Sequence, residues 1–242
     1  MKILIPFFLI LVFGTSLFSG VDFQDISLEQ AFVIAKQNDK KIMIDFYTDW
    51  CAPCKLLDSV IFQDSTISSF INSNYISIKI DAEKGSGPDI MAKFKIPKSY
   101  PTVLLLNYDA VEIDRINGLG PKEQFLNNIR DYSENRNTLT DYLSQIKSGN
   151  NDIQLKLKIA NKYFSRHDFK KAITYYEQVI IQDPNIMDEF IWYQLANAYF
   201  RIGNLNEAEK SVSKSIEING DVKFIKDFLK RIENEINNQN TD

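Results

Sequence analysis

Two cysteines are present in this 242-residue chain, and both lie in one stretch, DFYTDWCAPCK, from Asp45 to Lys55. A Cys-x-x-Cys pair admits few chemistries: thiol–disulfide exchange, metal binding, a structural cross-link, or the remnant of a lost activity. A structural zinc site needs four ligands, and the chain offers only Cys51, Cys54 and one remote histidine, His167. A cross-link over two intervening residues closes too small a loop to stabilise much. Hydrolysis by a Cys nucleophile needs a neighbouring His base, and the N-terminal half contains none. Redox exchange is the reading that these residues favour.

The position of the pair supplies a reason for reactivity. KKIMIDFYT is a short apolar run with a β-branched bias and reads as a buried strand. After Cys51 the spacing turns helical through Leu56, Leu57, Val60 and Ile61. Cys51 therefore falls at a helix start, where unpaired N–H groups and the helix dipole favour a thiolate, with a pKa of about 7 or lower. Cys54 lies one turn further in, shielded, where it can resolve a mixed disulfide. Between them, Ala52 and Pro53 form the framework of the turn; Pro53 suits a first helical turn because its missing N–H is not needed there.

The elements that must hold this pair alternate between two periods. Ser27 can cap a helix with Leu28, Ala31, Phe32 and Ala35 on one face, and Asp64 or Ser65 can cap another holding Ile67, Phe70 and Ile71. YISIKID, PTVLLLNY and AVEIDRI read as three further strands, the last two joined by a turn at Tyr108, Asp109 and Ala110. A closing helix runs over 121–129. Strand, helix, strand, helix, then a hairpin and a helix makes an α/β sandwich around a mixed sheet.

Beyond Asn135 the strand signal stops and an internal repeat begins. Ala160, Tyr163, Phe164 and Ala172 recur as Ala196, Tyr199, Phe200 and Ala208, each 36 positions later. This resembles tetratricopeptide (TPR) repeats, whose unit of about 34 residues carries a small-residue and aromatic pattern ending in Pro. Ala160, Tyr163, Ala172, Tyr176 and Pro184 match; Val212 and Gly220 depart from the pattern in the second unit. The small residues let paired helices pack closely. Two units bury little surface alone, so helices over 138–147 and 222–237 are expected to flank them.

Composition is that of a globular protein, with 44% hydrophobic and 25% charged residues and a net charge of -4. No segment clusters Lys and Arg densely enough for nucleic acid. MKILIPFFLILVFGTSLFSG, the first twenty residues, has the layout of an export signal: an early Lys, an apolar run, then smaller residues. Leu17 or Phe18 stands where a small residue usually precedes the cut, so cleavage is left open and an uncleaved anchor is the alternative. The expected organisation is a signal or anchor over 1–20, a redox domain over 21–135, a linker or helix over 136–151, and repeats with a capping helix over 152–242.

DFYTDWCAPCK resembles the active-site segment of the thioredoxin-like family, and the resemblance extends over about 21–131. SYPT is similar to the family's cis-proline loop, and INGLGPKEQFLNNI to its last strand and helix. The segment from Cys54 to Ile96 resembles exported relatives of the C-terminal domain of the disulfide reductase DsbD. The resemblance implies an α/β thioredoxin-like fold followed by an all-α TPR domain, with Cys51 and Cys54 as a redox-active disulfide. It makes Cys51 the nucleophile, Cys54 the resolving thiol and Asp45 the interior acid. A carboxyl in that apolar run should have a raised pKa and could take the proton from Cys54. The rival placement for Asp45 is a strand-end acid facing solvent. Trp50, Tyr100 and Pro101 are implied to form the substrate-binding surface, with Tyr100–Pro101 cis. The family often places a Lys near the interior acid; Lys79 is available, its facing undetermined.

The expectation is an exported, periplasmic or extracytoplasmic thiol–disulfide oxidoreductase that reduces protein disulfides and needs neither cofactor nor metal. Its partners would be protein disulfides, a membrane or exported thiol reductant, and a protein or peptide on the TPR surface. The alternative is a TPR-based binding adaptor in which the redox pair is secondary.

Overall fold

The computed structural model describes residues 20–239. The export signal expected over 1–20 lies, Gly20 apart, outside the described residues. The chain starts with α1 (Leu28–Gln37) and β1 (Lys41–Tyr47), then α2 (Ala52–Leu56), which continues into one π-helical turn at Leu57–Ile61. α3 (Ser65–Asn74) leads into β2 (Tyr75–Asp81), and α4 (Gly87–Lys93) stands between β2 and a hairpin of β3 (Thr102–Leu106) and β4 (Glu112–Asn117). α5 (Lys122–Ser133) closes this half.

Local chemistry explains these boundaries. Ser27 and Gln30 form a reciprocal capping box at α1, and the Asp64 carboxylate accepts from Thr66 N and Ile67 N at the start of α3. In the β3–β4 turn Asn107 Oδ1 accepts from Asp109 N and Val111 N, which lets Ala110 take a positive φ without a glycine. Gly87 meets a harder limit. A Cβ there would lie 1.9 Å from the Asp81 carbonyl oxygen, so only glycine lets α4 fold back against the end of β2.

The sheet has the order β2-β1-β3-β4, with β1 and β2 parallel and the other pairs antiparallel. Period-two alternation divides β1 between two cores. Ile42, Ile44 and Phe46 face α1 and α4, while Met43 faces the side covered by Leu57, Ile61, Ile67, Ile71, Phe125 and Ile129. Asp45 shares the parity of Met43, so its carboxyl enters the layer beneath the helix that begins at Cys51.

The second half is wholly helical: α6 (Leu139–Lys147), α7 (Ile153–Ser165), α8 (Phe169–Gln182), α9 (Glu189–Arg201), α10 (Leu205–Ile218) and α11 (Lys223–Gln239). Ala160, Ala172, Ala196 and Ala208 are fully buried where paired helices cross. Tyr176 fills the wider gap in the first pair and donates from its hydroxyl to Asn161 Oδ1 at 2.6 Å, which satisfies the polar end of a buried ring. α6 packs before the first pair and α11 after the second, as the shortage of buried surface requires.

The two halves meet at β4, the edge of the sheet. Asp114 is fully buried there, and its carboxylate accepts from Lys162 Nζ at 2.7 Å, Arg166 Nη2 at 2.5 Å, Leu139 N at 3.0 Å and Arg115 N at 2.8 Å. One acid thus joins a strand, α6 and α7. Removing one partner of a buried ion pair costs about 3–5 kcal/mol because the other charge stays behind. Asp114→Ala is therefore expected to lower the urea midpoint of the full chain sharply. Replacing Lys162 and Arg166 by Met in the same chain should recover most of the loss; no loss with Asp114→Ala alone would contradict this seam.

Candidate active site

β1 ends at Tyr47, and the chain turns through Thr48 so that Cys51 N donates to Thr48 O at 3.1 Å. Cys51 occupies the N-cap of α2 in extended backbone, with Pro53 in the first turn. Its Sγ accepts from Cys54 N at 3.1 Å, an interaction in which the sulfur faces the unpaired N–H groups of the helix start. Cys51 and Cys54 form a disulfide, and both are buried, each 2% exposed. Ala52 and Pro53 are exposed between them. A reduced Cys51 in this position would have its thiolate favoured by one N–H bond and by the helix dipole.

Asp45 is fully buried and does not face solvent. Its Oδ2 meets Lys79 Nζ at 2.5 Å, and its Oδ1 has no hydrogen-bond partner in the protein. Burial pushes the carboxyl above the usual carboxylate range, and the Lys79 ammonium opposes that shift without reversing it. Lys79 is the register partner of Asp45 on β2. It also pairs with Asp58 of the π turn at 2.5 Å and lies 4.7 Å from the centre of the Phe23 ring. The Asp58 side chain is 46% exposed, so the three groups lead from a dry carboxyl to solvent.

Trp50 stands 66% exposed beside the disulfide, its Nε1 donating to Glu83 Oε2 at 3.0 Å and its ring edge-on to Tyr100 at 6.0 Å. Tyr100–Pro101 is cis. Tyr100 is half-buried with its hydroxyl 3.7 Å from Met91 Sδ, whereas Pro101 is buried. Gly118 N donates to Pro101 O at 2.8 Å, with Gly118 at a positive φ. The exposed apolar lip thus consists of Trp50 and part of Tyr100. An acidic side built from Asp49, Asp81 and Glu83 flanks it, bridged by Lys84, which pairs with both aspartates.

The residues singled out in sequence therefore gather at the end of the sheet where β1 stops and β3 starts, with Asp45 one layer below. Sequence reasoning missed Asp58, Glu83 and Asn117. Asp58 had one usable signal, its place one turn after Cys54 on the same helix; Glu83 and Asn117 had none without the register of the strands. Among the described residues, no group of three or more His, Cys, Asp or Glu side chains could hold a metal ion, and no helix is long and apolar enough to cross a membrane.

Comparison with known proteins follows the division between the two halves. Residues 28–133 match the family described as a thioredoxin-like domain, and residues 155–238 match the "Tetratricopeptide repeat protein 21 forth ARM domain". The chain is similar to the chloroplastic thioredoxin Y1 of Arabidopsis thaliana, 31% identical over 94 residues, covering 39% of this chain and 51% of that protein. It is also similar to the thiol:disulfide interchange protein DsbD of Vibrio vulnificus, 32% identical over 63 residues, covering 26% of this chain and 10% of that one. The chain thus spans about half the length, or less, of the curated relatives it matches. A solved structure of a putative disulphide-isomerase from Bacteroides thetaiotaomicron aligns at 31% identity, covering 48% of this chain and 95% of that one with a TM-score of 0.44. Residues 28–133 of this chain are a thioredoxin-like domain, and helical repeats of tetratricopeptide type follow it.

Proposed function

We propose that the protein is an exported thiol–disulfide oxidoreductase that reduces disulfides of other exported proteins. The observation that carries this reading is the Cys51 sulfur at a helix N-cap, bonded to Cys54 N, above a buried acid with one free oxygen. In the reduced enzyme the Cys51 thiolate attacks a substrate disulfide, forming a mixed disulfide and releasing one substrate thiolate, which takes a proton from solvent. Cys54 then loses its proton to Asp45, directly or through a water, and attacks Cys51 Sγ. The second substrate thiolate leaves. The substrate has gained two electrons, and the enzyme is left with the Cys51–Cys54 disulfide. A membrane or exported thiol reductant must return those electrons. Lys79 and Asp58 give the Asp45 proton a path to solvent.

Trp50, Tyr100 and Pro101 form the surface on which a substrate chain would lie, with apolar contact from the exposed indole. The helical arm is assigned a protein or peptide partner, because repeats of this kind present a concave surface built from helix faces.

With dithiothreitol as electron source, the wild type should accelerate insulin reduction, and Cys51→Ser should abolish the acceleration. Cys54→Ser should retain the first step and accumulate mixed disulfides with exported proteins. No cysteine-dependent turnover would leave only the adaptor reading. Asp45→Asn should slow resolution at neutral pH by about 10²-fold or more, the usual range for a lost proton acceptor.

Asp45 also makes a prediction about stability. Its folded-state pKa is raised, so the unfolded chain binds fewer protons at intermediate pH. The stability associated with its neutral form is present below the unfolded value and lost as pH rises through the folded one. Oxidised wild type should therefore lose stability as pH rises from about 4 into the range above, and Asp45→Asn should lack that decline. Parallel urea titrations of both proteins across that range would decide it, and identical slopes would contradict a raised pKa.

A further inference from the structure

Asn117 closes β4 and touches both halves of the molecule. Its Nδ2 donates to Ser165 O at 2.6 Å, at the last turn of α7, where helix carbonyls have no intrahelical donor. Its Oδ1 lies 3.2 Å from Thr102 Oγ1. Because Ser165 O can only accept, the amide has one orientation, with its oxygen towards Thr102. The Thr102 hydroxyl is buried and shares its proton between Asn117 Oδ1 and Ser99 O, the latter at 2.8 Å.

These bonds bracket the Tyr100–Pro101 loop. Thr102 ties Ser99 on one side of it, and Gly118 N, next to Asn117, holds Pro101 O on the other. The far end of the chain of contacts is fixed as well. Lys162 and Arg166, which flank Ser165 on α7, both bond the buried Asp114. A polar chain therefore runs from an anchored helix of the arm, through one amide, to the loop that packs Tyr100 against Trp50.

We infer that Asn117 is a positioning residue through which the helical arm holds the Tyr100–Pro101 loop, so that affinity for polypeptide disulfides depends on a contact supplied by the arm. This rests on the oxidoreductase reading above. A polypeptide must pair with the loop as well as present its sulfurs, whereas a small disulfide needs only the sulfurs. The arm then acts on substrate binding while leaving the thiols untouched.

The test uses the full chain as wild type, Asn117→Ala, Thr102→Val and the double variant. Steady-state kinetics would be measured with insulin and with a small aromatic disulfide, alongside thermal midpoints. The expected result is a rise of about tenfold in KM for insulin in each single variant, the scale of one to two lost hydrogen bonds. kcat and the small-disulfide rate should stay within about twofold, and the double variant should be no worse than the singles, because both cut one chain. An unchanged KM in an active enzyme would overturn the inference. So would equal losses on both substrates with a lowered midpoint, which would assign Asn117 a structural role alone. If the wild type fails to reduce insulin, the oxidoreductase reading falls, and amide exchange at Gly118 still decides the positioning. Exchange about tenfold faster in Asn117→Ala supports it, and unchanged exchange overturns it.

Discussion

A carboxyl carried into the core of the first half sets the terms for everything around it. Asp45 lies on β1, a central strand of the sheet, with no exposed surface, beneath the helix that begins at Cys51. Leaving such a group unpartnered costs several kcal/mol. Lys79 reaches it from β2 because the parallel register puts the two residues side by side, and Asp58 balances the second bond of the ammonium. A buried ion pair of this kind adds little net stability compared with an apolar replacement. What sets it apart is its place: a carboxyl of raised pKa on the face that the cysteine-bearing helix covers, linked through Lys79 to the half-exposed Asp58.

A second buried acid does a different task with the same physics. Asp114 receives four donors and has no spare lone pair aimed at a vacancy, whereas Asp45 keeps one oxygen free. Four donors make Asp114 a fastener between the halves. The fastener reaches β4 through side chains at the C-terminal end of the α7 segment, Lys162 and Arg166. Hydrogen bonds through Asn117 and Thr102 link the end of α7 to the Tyr100–Pro101 loop.

Much of this was legible in residue order. The strands announced themselves as apolar runs, YISIKID matching β2 from end to end, and the repeat's alanines are buried at the helix crossings. The reason is that both signals are local: period two for a strand, and a small residue at the crossing point of each paired helix. The helix after Cys51 was legible only as a helix. Its π turn at Leu57–Ile61, with Leu57 and Ile61 buried in the core, has no signature in the local pattern. Lys79 could be placed on a strand, but its partner depended on the register between β1 and β2. Asp114, Lys162 and Arg166 were silent for the same reason. Each looks like an ordinary surface charge until the arm folds onto the sheet.

The account stands on Cys51 being a thiol made acidic by its place at a helix start. The direct measurement is the pH dependence of Cys51 alkylation in the reduced full chain, with Cys54 replaced by Ser so that one thiol reports. The predicted result is a half-titration well under the ordinary cysteine value of about 8.5. A half-titration at or above that value would contradict the account, because a thiol without a favoured thiolate could not start the exchange.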